Sequence, residues 1–492
     1  MMKLFDVAAL LLALSVIVIH GSVAMGIEGL SDDAAYLRIR QVESIQTTGL
    51  PLINDPLAPE GKRLLVEPLY DYALALVAFV LPLPIALKVV PAVLVGMVVL
   101  LVYALTKRIT EQPLASLIAA LAAAAMPILL RTANTASAVP LVLLLTLLVM
   151  LQLIGQNKSL ALYASLIILF AFAHPAVALV LAGLLCYTAL LVVENIKIER
   201  SWGEVLLFST FFIVWSMIVR FRDAFASGGA AVFVQNVPSA LRDAYFGGID
   251  TIDVIVLVGL VPTLIGAYIV YQYIFRERRR EMYVLLGFAL AVGVLLRAGI
   301  VPPALGLPFL GIVLAVFLGV WVTRVLAFLP ATKFPHLRLP LAIGMVALIV
   351  LSSWLPLQAA IGEVAGAAPS ADELAALGRM KDALPADAIV LTQPDEAMLV
   401  QTSLGVKVVQ DTDWLTQHDA EHRYDDVQRM YTTRSKVEAV ELLSRYGVTH
   451  IYVSPRTRER FDYEEPFYAD QDCFPTAYEG AASLMISACR VV

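Results

Sequence analysis

Residues 4–24 read LFDVAALLLALSVIVIHGSVA, and residues 32–38, a few positions later, read DDAAYLR. The first stretch is almost wholly apolar and is long enough for a helix that crosses about 30 Å of hydrocarbon, which takes about 20 residues. The second stretch places two adjacent carboxylates just beyond the end of that helix. This order predicts a first membrane crossing followed at once by a polar segment at the membrane surface.

The same apolar pattern recurs along the chain, which is 60% hydrophobic and 15% charged, with a mean hydropathy of +0.80. A soluble chain carries roughly a quarter charged residues. The blocks predict a polytopic α-helical membrane protein with about eleven transmembrane helices. Residues 160–172 are few for a full span and could form one hairpin with 175–193. The predicted spans are residues 4–24, 85–105, 114–130, 139–154, 160–172, 175–193, 205–219, 252–274, 282–300, 307–329 and 339–355.

Basic residues in short loops predict the orientation, because such loops stay in the cytoplasm. With the N-terminus inside, every basic loop falls on the cytoplasmic side and the C-terminus lies outside. The protein is then a multi-pass protein of the cytoplasmic membrane. A small-x-small site at Ser22-Val23-Ala24 leaves a cleaved signal peptide as the alternative to a retained anchor. The basic loops contain Lys3, Lys107 and Arg108, Lys158, Lys197 and Arg200, the run 276–280, and Lys333 and Arg338.

Two polar regions divide the chain into a transmembrane domain, residues 1–361, and an extracytoplasmic domain, residues 362–492. Within the first external loop, residues 26–84, helical spacing predicts a helix over 33–47 that ends at Gly49, and a short interfacial helix over 68–81. The glycine-rich external loop 222–250 is predicted to be mobile.

The C-terminal region has 22 acidic and 12 basic residues, a net charge of −10. Ser370 and Glu373 form a capping box before a helix. Strands predicted at 388–392, 406–410 and 448–454 alternate with helices near Ala397 and over 437–446, which is typical of a small α/β domain. The sequence leaves open whether Cys473 and Cys489 form a disulfide.

Asp32 and Asp33 are the residues best placed for acid/base chemistry. One carboxylate can accept a proton from an acceptor while its neighbour raises its pKa by like-charge repulsion. The alternative is structural, because Ser31 and Asp32 could simply cap the helix that follows.

The paired acids, Tyr36-Leu37-Arg38, Gly49, the NDPL of residues 54–57 and the PLY of residues 68–70 resemble the GT-C superfamily of membrane glycosyltransferases. The paired acids are similar to those of aminoarabinose and protein mannosyltransferases, and the residues that follow are similar to oligosaccharyltransferase catalytic subunits. The resemblance implies a donor with a polyprenyl(dolichyl)-phosphate-linked sugar, used outside the cytoplasm. It also implies that Asp32 is the catalytic acid of the first loop, with Asp33 as its partner.

Two features of that family are missing. Its second acidic pair follows an Arg-Thr, but here Arg131-Thr132 is followed by residues 133–138, ANTASA, which contain no carboxylate. The Trp-Trp-Asp motif that reads an acceptor sequon is also missing, and residues 393–396, QPDE, stand nearest to its place. We therefore expect transfer of one sugar with no cofactor required and no metal ligands assigned, and the alternative is dependence on a divalent Mg or Mn ion.

A departing lipid phosphate needs cations near the outer helix ends. Arg297 is the first candidate, since an arginine at that depth is expected to face a polar cavity, and its alternative is snorkelling to the interface. Lys88 and Arg131 are the other candidates for phosphate binding. Candidate substrate contacts are Tyr36, Glu67 and His174.

Several other patterns are interpreted as having no catalytic role. His418 and His422 match a metalloprotease spacing but lie in a polar stretch. Asp411 and Asp413 resemble a nucleotide-sugar metal motif, yet nucleotide sugars are cytoplasmic. The run 276–280 is a topological anchor against anionic lipid rather than a nucleic-acid site. Residues 157–159 form a glycosylation sequon on the wrong side of the membrane.

The leading hypothesis is transfer of a sugar from the lipid-linked donor to a lipid, glycan or protein acceptor on the outer face. Membrane lipids surround the protein and no nucleic acid is involved. One alternative is a non-catalytic GT-C-like binding or assembly subunit, which the missing second acidic pair would suit. The other is a transporter, but transporters usually have paired broken helices and inverted repeats, and the sequence indicates neither.

The predicted orientation can be tested with single cysteines and an impermeant thiol reagent added to intact cells. Ser201→Cys should resist labelling because its loop is cytoplasmic, and Ser435→Cys should react. Labelling of both sites would contradict the orientation.

Overall fold

The computed structural model describes residues 2–155, 159–247, 250–332 and 335–490. Lys158 and Lys333, which contribute to the predicted orientation, and Asn157 of the sequon lie outside the described residues, as do Gly248 and Ile249. The chain forms two compact units. The first, here called the membrane unit, comprises Met1–Gly26, Glu67–Arg220 and Ala244–Ala365. The second, here called the α/β unit, comprises Ile27–Val66, Phe221–Asp243 and Gly366–Val492.

The chain begins with an apolar helix, followed by a polar helix and the helices of the membrane unit. These are α1 (Met2–Met25), α2 (Ala34–Thr48), α3 (Pro68–Ala78), α4 (Leu83–Thr110), α5 (Pro113–Ala124), α6 (Pro127–Asn134), α7 (Val139–Ile154), α8 (Leu160–Ala173), α9 (Val177–Val193), α10 (Arg200–Gly228), α11 (Ser239–Phe246), α12 (Thr251–Val258), α13 (Leu260–Phe275), α14 (Arg280–Arg297), α15 (Pro303–Phe328) and α16 (Arg338–Ala367).

The chain is a multi-pass membrane protein. Among the described residues, five helices are long and apolar enough to cross a membrane, or up to seven if each of two bent helix pairs counts as one span. The shorter apolar helices are Pro68–Ala78, Val139–Ile154, Leu160–Ala173 and Val177–Val193. The count of about eleven spans therefore stays a prediction.

Two predicted spans are broken, which corrects the expectation that the chain has no broken helices. Residues 114–130 contain a 58° bend between α5 and α6, where Pro127 begins the second helix. Residues 252–274 contain a 116° bend between α12 and α13. Gly259 lies at this second bend with φ of 102°, a conformation that only glycine adopts without strain. Broken helices therefore no longer argue against the transporter alternative.

Helices of the membrane unit pack closely where one of them presents glycine. Gly183 of α9 faces the ring of Phe288, and Gly287 of α14 faces the backbone of Tyr187. Small residues allow helices to approach and gain van der Waals contact in lipid, where the hydrophobic effect does not drive association.

The α/β unit has a five-stranded sheet with the order β2-β1-β3-β5-β4. Strand β1 pairs in parallel with β2 and β3, whereas β5 is antiparallel to β3 and β4. The predicted strands and helices of this region are confirmed within a few residues. Its elements are α17 (Ala371–Met380), β1 (Ile389–Leu391), α18 (Ala397–Leu404), β2 (Lys407–Val408), α19 (Ala420–Thr432), α20 (Lys436–Arg445), β3 (His450–Val453), α21 (Pro455–Phe461), β4 (Thr476–Tyr478) and β5 (Ser483–Ile486).

Strand β3 is the buried centre of this sheet, with all four residues buried. The Tyr431 hydroxyl joins two strands by donating to the carbonyl oxygens of Leu391 and Tyr452, at 3.1 and 2.7 Å. Cys473 and Cys489 form a disulfide, which settles the question that the sequence leaves open. The sequence-based boundary at residues 361 and 362 stays a prediction, since segments 27–66 and 221–243 also pack with the C-terminal region.

Much of loop 222–250 is helical, and its predicted mobility stays a prediction. Helix α10 continues to Gly228, and α11 covers Ser239–Phe246. The Asn236 amide donates to the carbonyl oxygens of Trp414 and Gln417, both at 2.9 Å. Glu421 accepts the backbone N–H of Ser239 at 2.7 Å. These hydrogen bonds connect Asn236 and Ser239 to the C-terminal part of the α/β unit.

The packing of α9 against α14 gives a matched pair of substitutions. A Cβ at Gly287 would lie 2.7 Å from the Tyr187 backbone nitrogen, whereas one at Gly293 of the same helix meets nothing within 4 Å. We expect Gly287→Ala to destabilise the protein by about 1–3 kcal/mol through overpacking. Gly293→Ala should be neutral or slightly stabilising, because alanine favours the helix. Thermal unfolding of the purified variants measures both, and equal melting temperatures would contradict the close approach.

Candidate active site

Asp32 lies in the turn that leads into α2. Its Oδ1 accepts the backbone N–H of Ala34 at 3.2 Å, and its carbonyl accepts that of Ala35 at 3.0 Å. The side chain is partly buried. Burial raises the pKa of the Asp32 carboxyl above its usual value, against the opposing effects of the Ala34 N–H and the Arg38 charge. A carboxylate with a raised pKa is a stronger base than one in water.

Asp33 precedes α2, but its side chain binds the N-terminus of α18. Its side chain makes no capping hydrogen bond to α2. Its Oδ1 accepts the backbone N–H of Leu399 at 2.9 Å, and its Oδ2 accepts that of Met398 at 3.1 Å. These are orphan donors in the first turn of α18, where the helix dipole favours an anion. Burial raises the pKa of Asp33 to about 8, although the two N–H donors oppose this.

The residue that normally caps such a helix is engaged elsewhere. Glu396 precedes α18, is 1% exposed and makes no capping hydrogen bond. Its carboxylate accepts from the hydroxyls of Ser454 at 2.6 Å and Thr457 at 3.2 Å, and pairs with Arg456 at 2.9 Å. Burial raises the pKa of Glu396 to about 7. Sequence reasoning missed this network, because no local pattern reveals that Glu396 is buried.

Tyr36 and Gln401 add further contacts between α2, its loop and α18. The Tyr36 hydroxyl accepts the Leu30 N–H at 3.1 Å, and the Tyr36 carbonyl accepts the hydroxyl of Thr402 at 3.0 Å. Gln401 donates to the Leu57 carbonyl at 3.0 Å and accepts from Arg40 at 2.9 Å. Tyr36 is 7% exposed, so its predicted contact with substrate remains a prediction and its observed contacts are structural.

The resemblance of Asp411 and Asp413 to a metal motif has a structural explanation. The Lys62 ammonium lies 2.5 Å from Asp411 Oδ1 and 3.6 Å from Asp413 Oδ2, and it also donates to the Asp413 carbonyl. The Lys62 and Asp411 side chains are 5% and 1% exposed. Burial lowers the pKa of Lys62, but the two carboxylates outweigh that effect and raise it. Lysine therefore occupies the position between the two acids.

Glu67 and His174, two separately predicted residues of the membrane unit, lie together. The His174 Nε2 is 3.0 Å from Glu67 Oε1, and its Nδ1 accepts the Ala176 N–H at 2.9 Å. The backbone donor to Nδ1 favours the tautomer whose Nε2–H donates to the carboxylate. Glu67 precedes α3 and His174 follows α8, so sequence spacing gave no sign of their contact.

The predicted phosphate-binding cations occupy separate helices of the membrane unit. Arg131 in α6 forms an ion pair with Glu363. Lys88 is partly buried in α4, and Arg297 is the exposed last residue of α14. Their role as a phosphate clamp stays a prediction.

The expectation that no divalent metal is required stays a prediction. Within the described parts of the chain, no group of three or more His, Cys, Asp or Glu side chains is arranged to hold a metal ion. Both oxygens of Asp33 accept backbone N–H groups, and Lys62 lies between Asp411 and Asp413. His418 precedes α19 whereas His422 lies within it, so the two imidazoles do not share the helical face that their spacing implies.

Two solved structures that share the fold of this chain are members of the GT-C superfamily. The chain is similar to the archaeal oligosaccharyltransferase AglB from Archaeoglobus fulgidus, solved with an inhibitory peptide and a dolichol-phosphate. The TM-score is 0.64 at 14% identity, over 89% of this chain and 69% of that one. It is also similar to ArnT from Cupriavidus metallidurans bound to undecaprenyl phosphate, with a TM-score of 0.58 at 12% identity over 97% of both chains.

No family model and no curated protein matches the chain by sequence. The two solved structures therefore establish the fold, which confirms the predicted fold class and the resemblance to GT-C proteins.

The buried Lys62 cluster gives a second matched pair. Lys62→Met keeps the length of the side chain but leaves Asp411 and Asp413 without their cation. Breaking such a buried pair costs about 3–5 kcal/mol. Arg63→Met removes an exposed pair with Asp223, whose side chains are 58% and 44% exposed, and should cost about 0–1 kcal/mol. Thermal unfolding of both purified variants measures the difference, and similar losses would contradict the assigned role of Lys62.

Proposed function

We propose that the protein is a glycosyltransferase that transfers a sugar from a polyprenyl(dolichyl)-phosphate-linked donor to an acceptor on the extracytoplasmic face. The fold supports this proposal, because one similar structure contains a dolichol-phosphate and another contains undecaprenyl phosphate. The observation on which the proposal rests is that the carboxylates of Asp32 and Asp33 differ in the hydrogen bonds that they accept. Asp33 accepts two N–H groups at the start of α18, one on each oxygen, whereas Asp32 accepts the N–H of Ala34 in its own turn through Oδ1.

In this mechanism the acceptor attacks the anomeric carbon of the donor sugar. The bond from that carbon to the phosphate oxygen breaks, and the lipid phosphate leaves with the bonding electron pair. Asp32 receives the proton from the acceptor hydroxyl or amide. Asp33 is a positioning residue, because it fixes the turn that presents Asp32. The sequence-based expectation that Arg297, with Lys88 or Arg131, neutralises the departing phosphate stays part of the proposal.

The metal requirement stays a proposal. We propose that transfer needs no divalent ion, because the chain lacks a carboxylate after Arg131-Thr132 and the Asp33 oxygens are already engaged. The extracytoplasmic location of the site rests on the distribution of basic loops.

A non-catalytic binding or assembly subunit is the second candidate. It is favoured by the use of Asp33 as a helix cap and by the pairing of Arg131 with Glu363, since both residues then serve structure. Under this alternative the fold binds the lipid-linked sugar without cleaving it.

The proposal predicts that Asp32→Asn reduces sugar transfer by at least about 100-fold, because a general base contributes about 10²–10⁴-fold in rate. The measurement is mass spectrometry of lipid-linked sugars from a strain that lacks the protein, complemented with each variant. The donor should accumulate with Asp32→Asn and not with the wild type. Melting temperature should stay near that of the wild type, because asparagine keeps an acceptor for the Ala34 N–H.

Asp33→Asn is the matched control. It keeps one acceptor oxygen for α18, so transfer should fall to a level between the wild type and Asp32→Asn, with a lower melting temperature.

In the wild type, transfer should be lost as the pH falls through the pKa of Asp32, which lies above the usual aspartate value of about 3.9, since protonation removes the base. If Asp32→Asn transfers sugar at more than about a third of the wild-type rate, well inside the smallest expected effect, the non-catalytic alternative is favoured.

A further inference from the structure

The membrane unit contains a cavity of about 380 Å³ that the proposed transfer reaction does not use. It lies between the ends of five helices, α7, α8, α9, α10 and α14. The same helix ends carry the basic loops that predict the cytoplasmic side. Apolar side chains cover part of its wall, including Leu153, Leu160, Val205 and Val284.

Among the described residues that line the cavity, Arg280 is the cation, and its side chain is held by two neighbours. The Arg280 Nε donates to the Tyr187 hydroxyl at 3.2 Å, and the Arg280 guanidinium pairs with Glu199. Tyr187 is buried and packs edge-on against Trp202, with 4.6 Å between the ring centroids. Helices α8, α10 and α14 all begin at this cavity, so their first-turn N–H groups add positive partial charge beside Arg280. This part of the wall is suited to a phosphate.

Among the described residues that line the cavity, the other charged side chains are the carboxylates of Glu199, Glu204 and Glu281. In this described part of the wall, three carboxylates therefore accompany one guanidinium. Glu204 lies 3.7 Å from the exposed Arg200. A wholly anionic headgroup would meet more repulsion than attraction. An occupant therefore needs a cationic group as well as a phosphate.

We propose that this cavity binds the headgroup of a phospholipid that carries a primary ammonium, as in phosphatidylethanolamine. The phosphate lies against Arg280 and the helix N-termini, and the ammonium donates hydrogen bonds to Glu204 and Glu281. The apolar part of the wall contacts the start of the acyl chains. A primary ammonium has three N–H donors, whereas the trimethylated ammonium of phosphatidylcholine has none, so the carboxylates distinguish the two lipids.

The test is native mass spectrometry of the full-length protein in detergent with phosphatidylethanolamine, phosphatidylglycerol or phosphatidylcholine added separately. The wild type should retain phosphatidylethanolamine at least about tenfold more than the other two, the selectivity of one or two charge-assisted hydrogen bonds. Glu204→Gln and Glu281→Gln should each reduce that preference severalfold. Glu194→Gln is the matched control, because Glu194 pairs with Arg278 near the same helix ends and does not line the cavity.

A variant that blocks the cavity tests the site without changing its charge. Ser201→Trp should reduce retention of phosphatidylethanolamine while the melting temperature in lipid-free detergent stays near that of the wild type. Equal retention of the three lipids by the wild type would overturn the proposal, as would a preference that survives Glu204→Gln, Glu281→Gln and Ser201→Trp. Preferential retention of phosphatidylglycerol would show a simple anion site and would also overturn it.

Discussion

Two backbone N–H groups in the first turn of α18 determine how the α/β unit is assembled. A helix N-terminus has orphan donors that need an acceptor, and here Glu396, in the capping position, turns instead toward Ser454, Thr457 and Arg456. The acceptor comes from Asp33, 365 residues earlier in the chain. Helix α18 thereby fixes the turn that contains Asp32. Loss of this contact would affect the folding of the first loop as well as the position of the candidate base.

The other contacts of α18 extend the same constraint. Gln401 binds the Leu57 carbonyl and Arg40, and Thr402 binds the Tyr36 carbonyl. Each of these polar groups is at least partly buried, and a buried group without a partner costs about 1–3 kcal/mol. Because these contacts lie along a single short helix, they reinforce one another and give the Asp32 turn a single arrangement. Preorganisation of this kind places a base without any rearrangement during the reaction.

Local sequence patterns predicted the elements well but not their long-range contacts. Helix α2 and its end at Gly49 followed from spacing and from a glycine with φ of 78°, and β1, β3 and α20 from alternation and periodicity. The contacts of Asp33 with α18, of Lys62 with Asp411 and of Glu67 with His174 join residues far apart in the chain, and no local pattern indicates them. The bend at Gly259 was missed because residues 252–274 are apolar throughout, and hydropathy does not detect a change of helix direction.

The buried acids of the α/β unit are neutralised by lysine and arginine side chains of the same unit. Asp411 and Asp413 pair with Lys62, Asp55 pairs with Arg40, and Glu396 pairs with Arg456. A lysine or arginine is covalently attached and always present, so these carboxylates are neutralised without depending on an ion from solution. An isolated buried carboxylate would instead take up a proton. The cost of this arrangement is chemical, because a carboxylate that is paired in this way has fewer oxygens available for a substrate. Burial raises the pKa of the Asp32 carboxyl, and this supports the proposed role of Asp32 as the base.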